Sequence, residues 1–143
     1  MAKRLTIRTS NHPAVTISRA ALGRSRLVYI AKANKRFKYP ENRSAIAYIG
    51  TTEVGVRRIA TSAAVRAQKL LGLHGVKELK FYVITCKKKR RVKSWEKLED
   101  DLLHVFKREY GRLPIGNKKG PSRRDHFRYF NENRLRSVLR RYE

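Results

Sequence analysis

Three short runs rich in β-branched and aromatic residues frame this chain. They are residues 26–33, centred on Leu27, Val28, Tyr29 and Ile30, then residues 45–51, then residues 79–86, which include Phe81, Tyr82, Val83 and Ile84. Runs of this length and makeup read as strands. The first two predict an antiparallel hairpin, with residues 35–44 (containing Pro40, Glu41 and Asn42) as its loop. Between the second and third, Val56, Ile59, Ala60, Ala63, Ala67, Leu70 and Leu71 follow helical spacing, and Gly72 stops the run. After the third, Ser94 stands where an N-cap belongs. Trp95, Leu98, Leu102, Val105 and Phe106 then make one apolar stripe, which Gly111 ends. The order ββαβα predicts an α+β fold, a small antiparallel three-stranded sheet flanked by helices.

Both ends add to this core. Arg4, Leu5, Thr6, Ile7, Arg8 and Thr9 alternate polar and apolar, which predicts a basic N-terminal strand. Residues 18–22 read as a short helical turn, and Pro114, Gly116, Gly120 and Pro121 mark a loop. Ser122 with Asp125 has the form of a capping box, and Leu135, Val138, Leu139 and Tyr142 share a helical face. These features predict a C-terminal helical extension. At 143 residues the chain is read as a single domain, residues 1–143.

Charge points to the partner. There are 36 Lys+Arg against 11 Asp+Glu, a formal net charge of +25. Self-repulsion on that scale weakens a compact state unless a polyanion is near, and nucleic-acid phosphates are the simplest polyanion. No segment is both long and apolar, so no membrane partner is expected. The N-terminus lacks an apolar stretch of the secretory kind, so a cytoplasmic protein is expected. The lone cysteine, Cys86, cannot form an intrachain disulfide and reads as a small core residue. One cysteine and four scattered histidines do not make a zinc site of the Cys/His type.

A tyrosine on each hairpin strand, an arginine, a carboxylate and an asparagine then occur in a telling order. They are Tyr29, the string Ala47-Tyr48-Ile49-Gly50, Arg58 eight residues after Gly50, Glu99 in Lys97-Leu98-Glu99-Asp100-Asp101, and Asn117 in Pro114-Ile115-Gly116-Asn117. Over residues 26–118 this resembles the GIY-YIG nuclease family, whose members cut DNA phosphodiesters with one active-site metal ion. The resemblance implies a GIY-YIG-like nuclease core at 26–118, and the basic helical tail at 119–143 lies outside it. The resemblance also implies one of the two tyrosines as general base, with Tyr29 favoured and Tyr48 positioning (or the reverse), Arg58 as the phosphate clamp, Asn117 as the late asparagine, and Glu99 as ligand to Mg²⁺ (or Mn²⁺). Each part suits the chemistry: phosphodiester hydrolysis needs a proton acceptor for water and positive charge on the phosphate. A guanidinium forks onto two phosphate oxygens, and a carboxylate anchors a hard cation.

Glu99 lies beside the apolar stripe, with Glu96 as runner-up, whereas Asp100 and Asp101 are expected to point further toward water. Some features depart from the family. The first motif reads Leu-Val-Tyr instead of Gly-Ile-Tyr, and Thr61 and Ser62 stand where many members carry an extra histidine or lysine. Tyr29 and Tyr48 lie nineteen apart, so residues 32–44 read as an insertion, a DNA-facing loop bearing Lys32, Lys35, Arg36 and Lys38 with Phe37 and Tyr39.

Further phosphate contacts are expected from Lys87, Lys88, Lys89, Arg90 and Arg91, and from Lys118, Lys119, Arg123, Arg124, Arg134, Arg140 and Arg141. Phe127 and Phe130 read as core at helical spacing, with base stacking the alternative for them and for Tyr129. The expected function is a metal-dependent endonuclease on double-stranded DNA, with a restriction-type role favoured. Cutting both strands calls for two active sites, hence a homodimer on DNA. The alternative is a non-catalytic basic nucleic-acid-binding protein of ribosomal or chromatin type, in which these five residues need not converge.

Overall fold

The computed structural model describes residues 4–11, 13, 26–73, 75–121 and 125–143. Strands β1 (Leu27–Lys38), β2 (Arg43–Thr52) and β3 (Leu79–Ile84) form one antiparallel sheet in the order β2-β1-β3. Helices α1 (Val56–Leu70), α2 (Ser94–Tyr110) and α3 (Glu132–Tyr142) pack around it. The fold is α+β with a small three-stranded antiparallel sheet, as the order of runs predicts.

Strand alternation sorts the sheet residues onto two faces. Val28, Ile30, Ala47 and Ile49 join Leu98, Leu102, Val105 and Phe106 of α2 and Leu135 and Leu139 of α3 in the main core. The other face carries Leu27 and Tyr29, with Tyr48, Phe81 and Val83 around them, and receives Ile59 of α1. The C-terminal stripe therefore docks on the chain's own core, and Phe127, Phe130, Val138 and Tyr142 lie against it.

Several expectations are corrected. Residues 4–10 form no strand: Leu5 is 91% and Ile7 89% exposed, so alternation without a partner strand does not make a sheet. The insertion at 32–44 is not a loop. β1 runs on to Lys38 and β2 begins at Arg43, leaving a turn at 39–42. Phe37 and Tyr39 are buried instead of facing DNA, and the Tyr39 hydroxyl donates to the Ile46 carbonyl at 2.7 Å. Edge-on packing of Tyr39 against Phe106 anchors that turn, and burial pushes the Tyr39 phenol up to about 12.

Ser94 is the first residue of α2 and not its cap; Lys93 holds the cap position without a side-chain bond. Gly111 ends the helix with φ 85, a left-handed conformation that suits glycine. α3 begins at Glu132, where Asn131 accepts from the Asn133 and Arg134 amides, and Asp125 lies outside any helix. Ser122, like the helical turn expected at 18–22, falls outside the described residues. On α1 the predicted stripe is only partly realised: Ile59 and Leu70 are buried, but Ala60 and Leu71 are exposed.

Candidate functional site

The β1–β2 register sets Tyr29 opposite Gly50 and Ala31 opposite Tyr48. Both tyrosines thereby project from the same face, with ring centroids 5.8 Å apart. Gly50 is what lets them meet. A Cβ there would lie 2.6 Å from the ring carbons of both Tyr29 and Tyr48, closer than atoms can approach. Tyr29 is buried at 2% exposure and also packs on Phe81, while Tyr48 is half-buried.

The arginine that reaches this pair is Arg66, two turns beyond the expected one. Its guanidinium lies 4.5 Å over the Tyr48 ring, with Nη2 3.4 Å from the Tyr48 hydroxyl and Nη1 3.5 Å from the Gly116 carbonyl. Arg58 sits in the first turn of α1, exposed, beside the buried Ile59. The structure does not bring Arg58 onto Tyr48, the place that Arg66 takes.

Glu99 rides on α2, which packs against the opposite face of the sheet from the tyrosines. One turn earlier, Trp95 takes the Arg26 guanidinium 4.8 Å over its ring, so α2 begins beside the end of β1 that leads into Tyr29. The Glu99 carboxyl is raised to about 7 by burial, with Asp100 and Glu96 adding like-charge repulsion. Although the chain carries 36 basic residues, no Lys or Arg among the described residues neutralises this half-buried acid.

Asp100 and Asp101 do not point to water, as expected of them, but are buried at 8% and 5% exposure. The reason is long-range: residues 126–127 fold over that side of α2. The Phe127 amide donates to Asp101, and His126 lies against both carboxylates.

Asn117 is fully engaged with backbone. Its Oδ1 accepts from the Ile49 amide at 3.0 Å and its Nδ2 donates to the Ile49 carbonyl at 2.8 Å. With the Gly116 amide donating to the Ala47 carbonyl at 2.7 Å, the 114–117 loop covers the outer edge of β2 much as a strand would. Asn117 thus fixes the strand that carries Tyr48 and Gly50, and chemistry through its amide has no support in these bonds.

The basic residues divide into exposed and engaged groups. Lys38, Lys87, Lys88, Lys89, Arg90, Arg91, Lys118, Lys119, Arg134, Arg140 and Arg141 are exposed. Arg36 is instead tied to Glu143 at 3.1 Å and to the Arg43 carbonyl, and Lys35 lies 5.9 Å from the Phe37 ring. Arg123 and Arg124 fall outside the described residues. Lys118 stands beside Lys69 and by repulsion pulls that ammonium below the usual lysine value, a crowding that a bound anion would relieve.

Lys89, Lys97 and Arg128 converge on the Tyr129 ring at 5.0, 5.1 and 5.5 Å, from the β3–α2 turn, α2 and the segment before α3. Arg128 belongs to the basic tail expected to meet phosphate, whereas Lys97 does not stand out in the sequence as a phosphate-binding residue. The phosphate contact expected of Lys89 and the stacking option for Tyr129 both point toward this cluster. No family model, curated protein or solved structure matches the chain.

Proposed function

We propose that this protein is a metal-dependent endonuclease of GIY-YIG type that hydrolyses phosphodiesters of double-stranded DNA. The observation that supports the proposal is the tyrosine pair closed over Gly50, which brings residues nineteen apart together on one sheet face. Tyr29 accepts the proton of the attacking water. Tyr48, held under Arg66, positions that water. Arg58, with its guanidinium exposed at the start of α1, meets the phosphate oxygens as a fork.

Glu99 fits a cation ligand, because a half-buried carboxylate without a basic partner among the described residues is stabilised by a bound cation. A Mg²⁺ or Mn²⁺ ion held there would supply positive charge for the phosphate. The exposed lysines and arginines, and the cationic group around Tyr129, would hold the duplex backbone and stack on bases at its edge. Among the described residues no helix is long and apolar enough to cross a membrane. A restriction-type role and a homodimer on DNA complete the proposal, since cutting both strands calls for two active sites.

The deciding experiment incubates plasmid DNA with the purified protein, with and without Mg²⁺, beside Glu99→Gln prepared identically. Nicked or linear product with the wild type alone, and only with metal, is expected. Equal product from both proteins, or none from either, overturns the proposal. A second reading, non-catalytic binding of nucleic acid, is favoured by the separation of Glu99 from the tyrosines across the sheet. It predicts tight binding and no product.

A further inference from the structure

We propose that Asp100, Asp101 and His126 form a second metal site, one that takes a single transition-metal ion of the zinc class and pins the segment leading into α3 onto α2. Each residue offers one ligand atom, and the three atoms all lie within 4.8 Å of one another. His126 Nδ1 is 3.2 Å from Asp101 Oδ1 and 3.6 Å from Asp100 Oδ2. A tetrahedral zinc with nitrogen and oxygen ligands at about 2.1 Å sets those ligands about 3.4 Å apart. The two observed separations bracket that value. The shorter one is also a hydrogen bond, whereas the longer one exceeds hydrogen-bonding reach.

Charge leads the same way. Two adjacent carboxylates are buried here, with side-chain exposures of 11% and 7%, against one imidazole at 16%. A divalent ion bound between them would lie against both carboxylates at once. The imidazole separates this cluster from an ordinary acidic pair. It comes from another part of the chain and brings a nitrogen ligand, and one nitrogen with two carboxylate oxygens suits zinc, cobalt or manganese better than magnesium.

The surroundings hold the ligands still. The His104 ring stacks on the His126 ring at 3.9 Å and 6°. The Phe127 amide donates to Asp101 Oδ2, which leaves Oδ1 toward the histidine. Three protein ligands leave one position for water. The aspartates and the histidine are 25 or more residues apart in sequence, so ligand spacing could not reveal the site. Its consequence is to fasten residues 126–130, and with them Tyr129, to the helix that bears Glu99.

The test is titration of the full chain, stripped with chelator, with Zn²⁺ by calorimetry, and with Co²⁺ followed by visible absorption. One saturable site with Kd below about 10 µM is expected. His126→Ala and the isosteric Asp100→Asn should each weaken it at least about tenfold and remove the Co²⁺ bands. His104→Phe, which keeps a stacking ring, should retain it. Glu99→Gln should also retain it while losing cleavage, so failure here is distinct from failure of the nuclease assignment. Absence of saturable Zn²⁺ binding, or wild-type binding by Asp100→Asn with its fold intact by circular dichroism, overturns the proposal.

Discussion

Arg66 covers one face of Tyr48, its guanidinium carbon 4.5 Å from the ring centre and one of its nitrogens 3.4 Å from the hydroxyl. A stacked guanidinium of this kind contributes about 1 kcal/mol when partly exposed. Arg66→Ala should therefore lower stability by about that amount and cut any cleavage rate by about tenfold or more, because the Tyr48 hydroxyl loses its guide. Arg66→Lys should recover stability better than rate. Thermal melts beside single-turnover cleavage separate the two effects, and an Arg66→Ala protein that cuts at the wild-type rate would remove Arg66 from the site.

Gly50→Ala asks for space that the tyrosines occupy. The new methyl would meet both rings at 2.6 Å, and forced repacking of this sort costs about 1–3 kcal/mol. A clear fall in melting temperature is expected. Its partial reversal in a Gly50→Ala, Tyr48→Ala double variant would identify the ring as the obstacle, whereas an unchanged melt would mean that the two rings do not close over this residue.

Stability should depend on Glu99 in an unusual direction. The unfolded side chain titrates near 4.5 and the folded one at about 7. Between these values the folded state keeps a proton that the unfolded chain has released, so stability falls as pH rises through the window and levels off above it. The loss is about 3 kcal/mol as an upper bound. Glu99→Gln should be more stable than wild type at about pH 8 and nearly equal at about pH 4. Urea midpoints across this range provide the check, and parallel curves for the two proteins would show that Glu99 is not desolvated. Saturating Mg²⁺ should reduce the difference if the carboxylate binds it.

Asn117→Ala removes both side-chain bonds to Ile49 from a half-buried edge. A cost of about 2 kcal/mol is expected, with Asn117→Asp damaging as well because a carboxylate cannot donate to the Ile49 carbonyl. Loss of activity that tracks loss of stability, and returns on cooling, marks a structural residue. Inactivity at full stability would instead restore a chemical role.

Affinity for non-cognate duplex should fall with salt at a log–log slope of about −4.5 or steeper, as for five or more phosphate contacts. Lys89→Ala with Lys97→Ala should make it shallower by about 1.8, since each phosphate left without its lysine takes about 0.9 from the slope. Tyr129→Leu should weaken single-stranded binding more than it changes the slope, since it removes a stacking surface and no charge. A double lysine variant with an unaltered slope would place the duplex elsewhere on the surface.

What the sequence made legible were features of short range and strict period. Strand alternation put Tyr48 and Gly50 on one face, but the register that sets Tyr29 opposite Gly50 depends on strands that run through residues read as a loop. Helical spacing found the α2 stripe that is buried at Leu98, Leu102, Val105 and Phe106. Features that depend on where an element lands were hidden. Arg66 is one of many helix arginines until α1 lies across Tyr48. Asp100 and Asp101 are solvent-facing on an isolated helix and become buried only under residues 126–127. In residues 35–44 the turn signals of Pro40 and Asn42 outweighed the alternation of Phe37 and Tyr39, although the chain uses both: strand to Lys38, then a tight turn.

The thin seating of α1 has a kinetic side. Among its described side chains only Ile59 and Leu70 are buried, while Val65 remains 54% exposed, so those described side chains offer little apolar contact against local opening. Both Arg58 and Arg66 ride on it. A polyanion lying across them would select the docked helix from a population that also contains opened forms, and part of its binding free energy would go into that selection. Association would then have a slow, ligand-independent component set by helix docking, and amide exchange along α1 would slow on binding while exchange in the central strand β1 would hardly change.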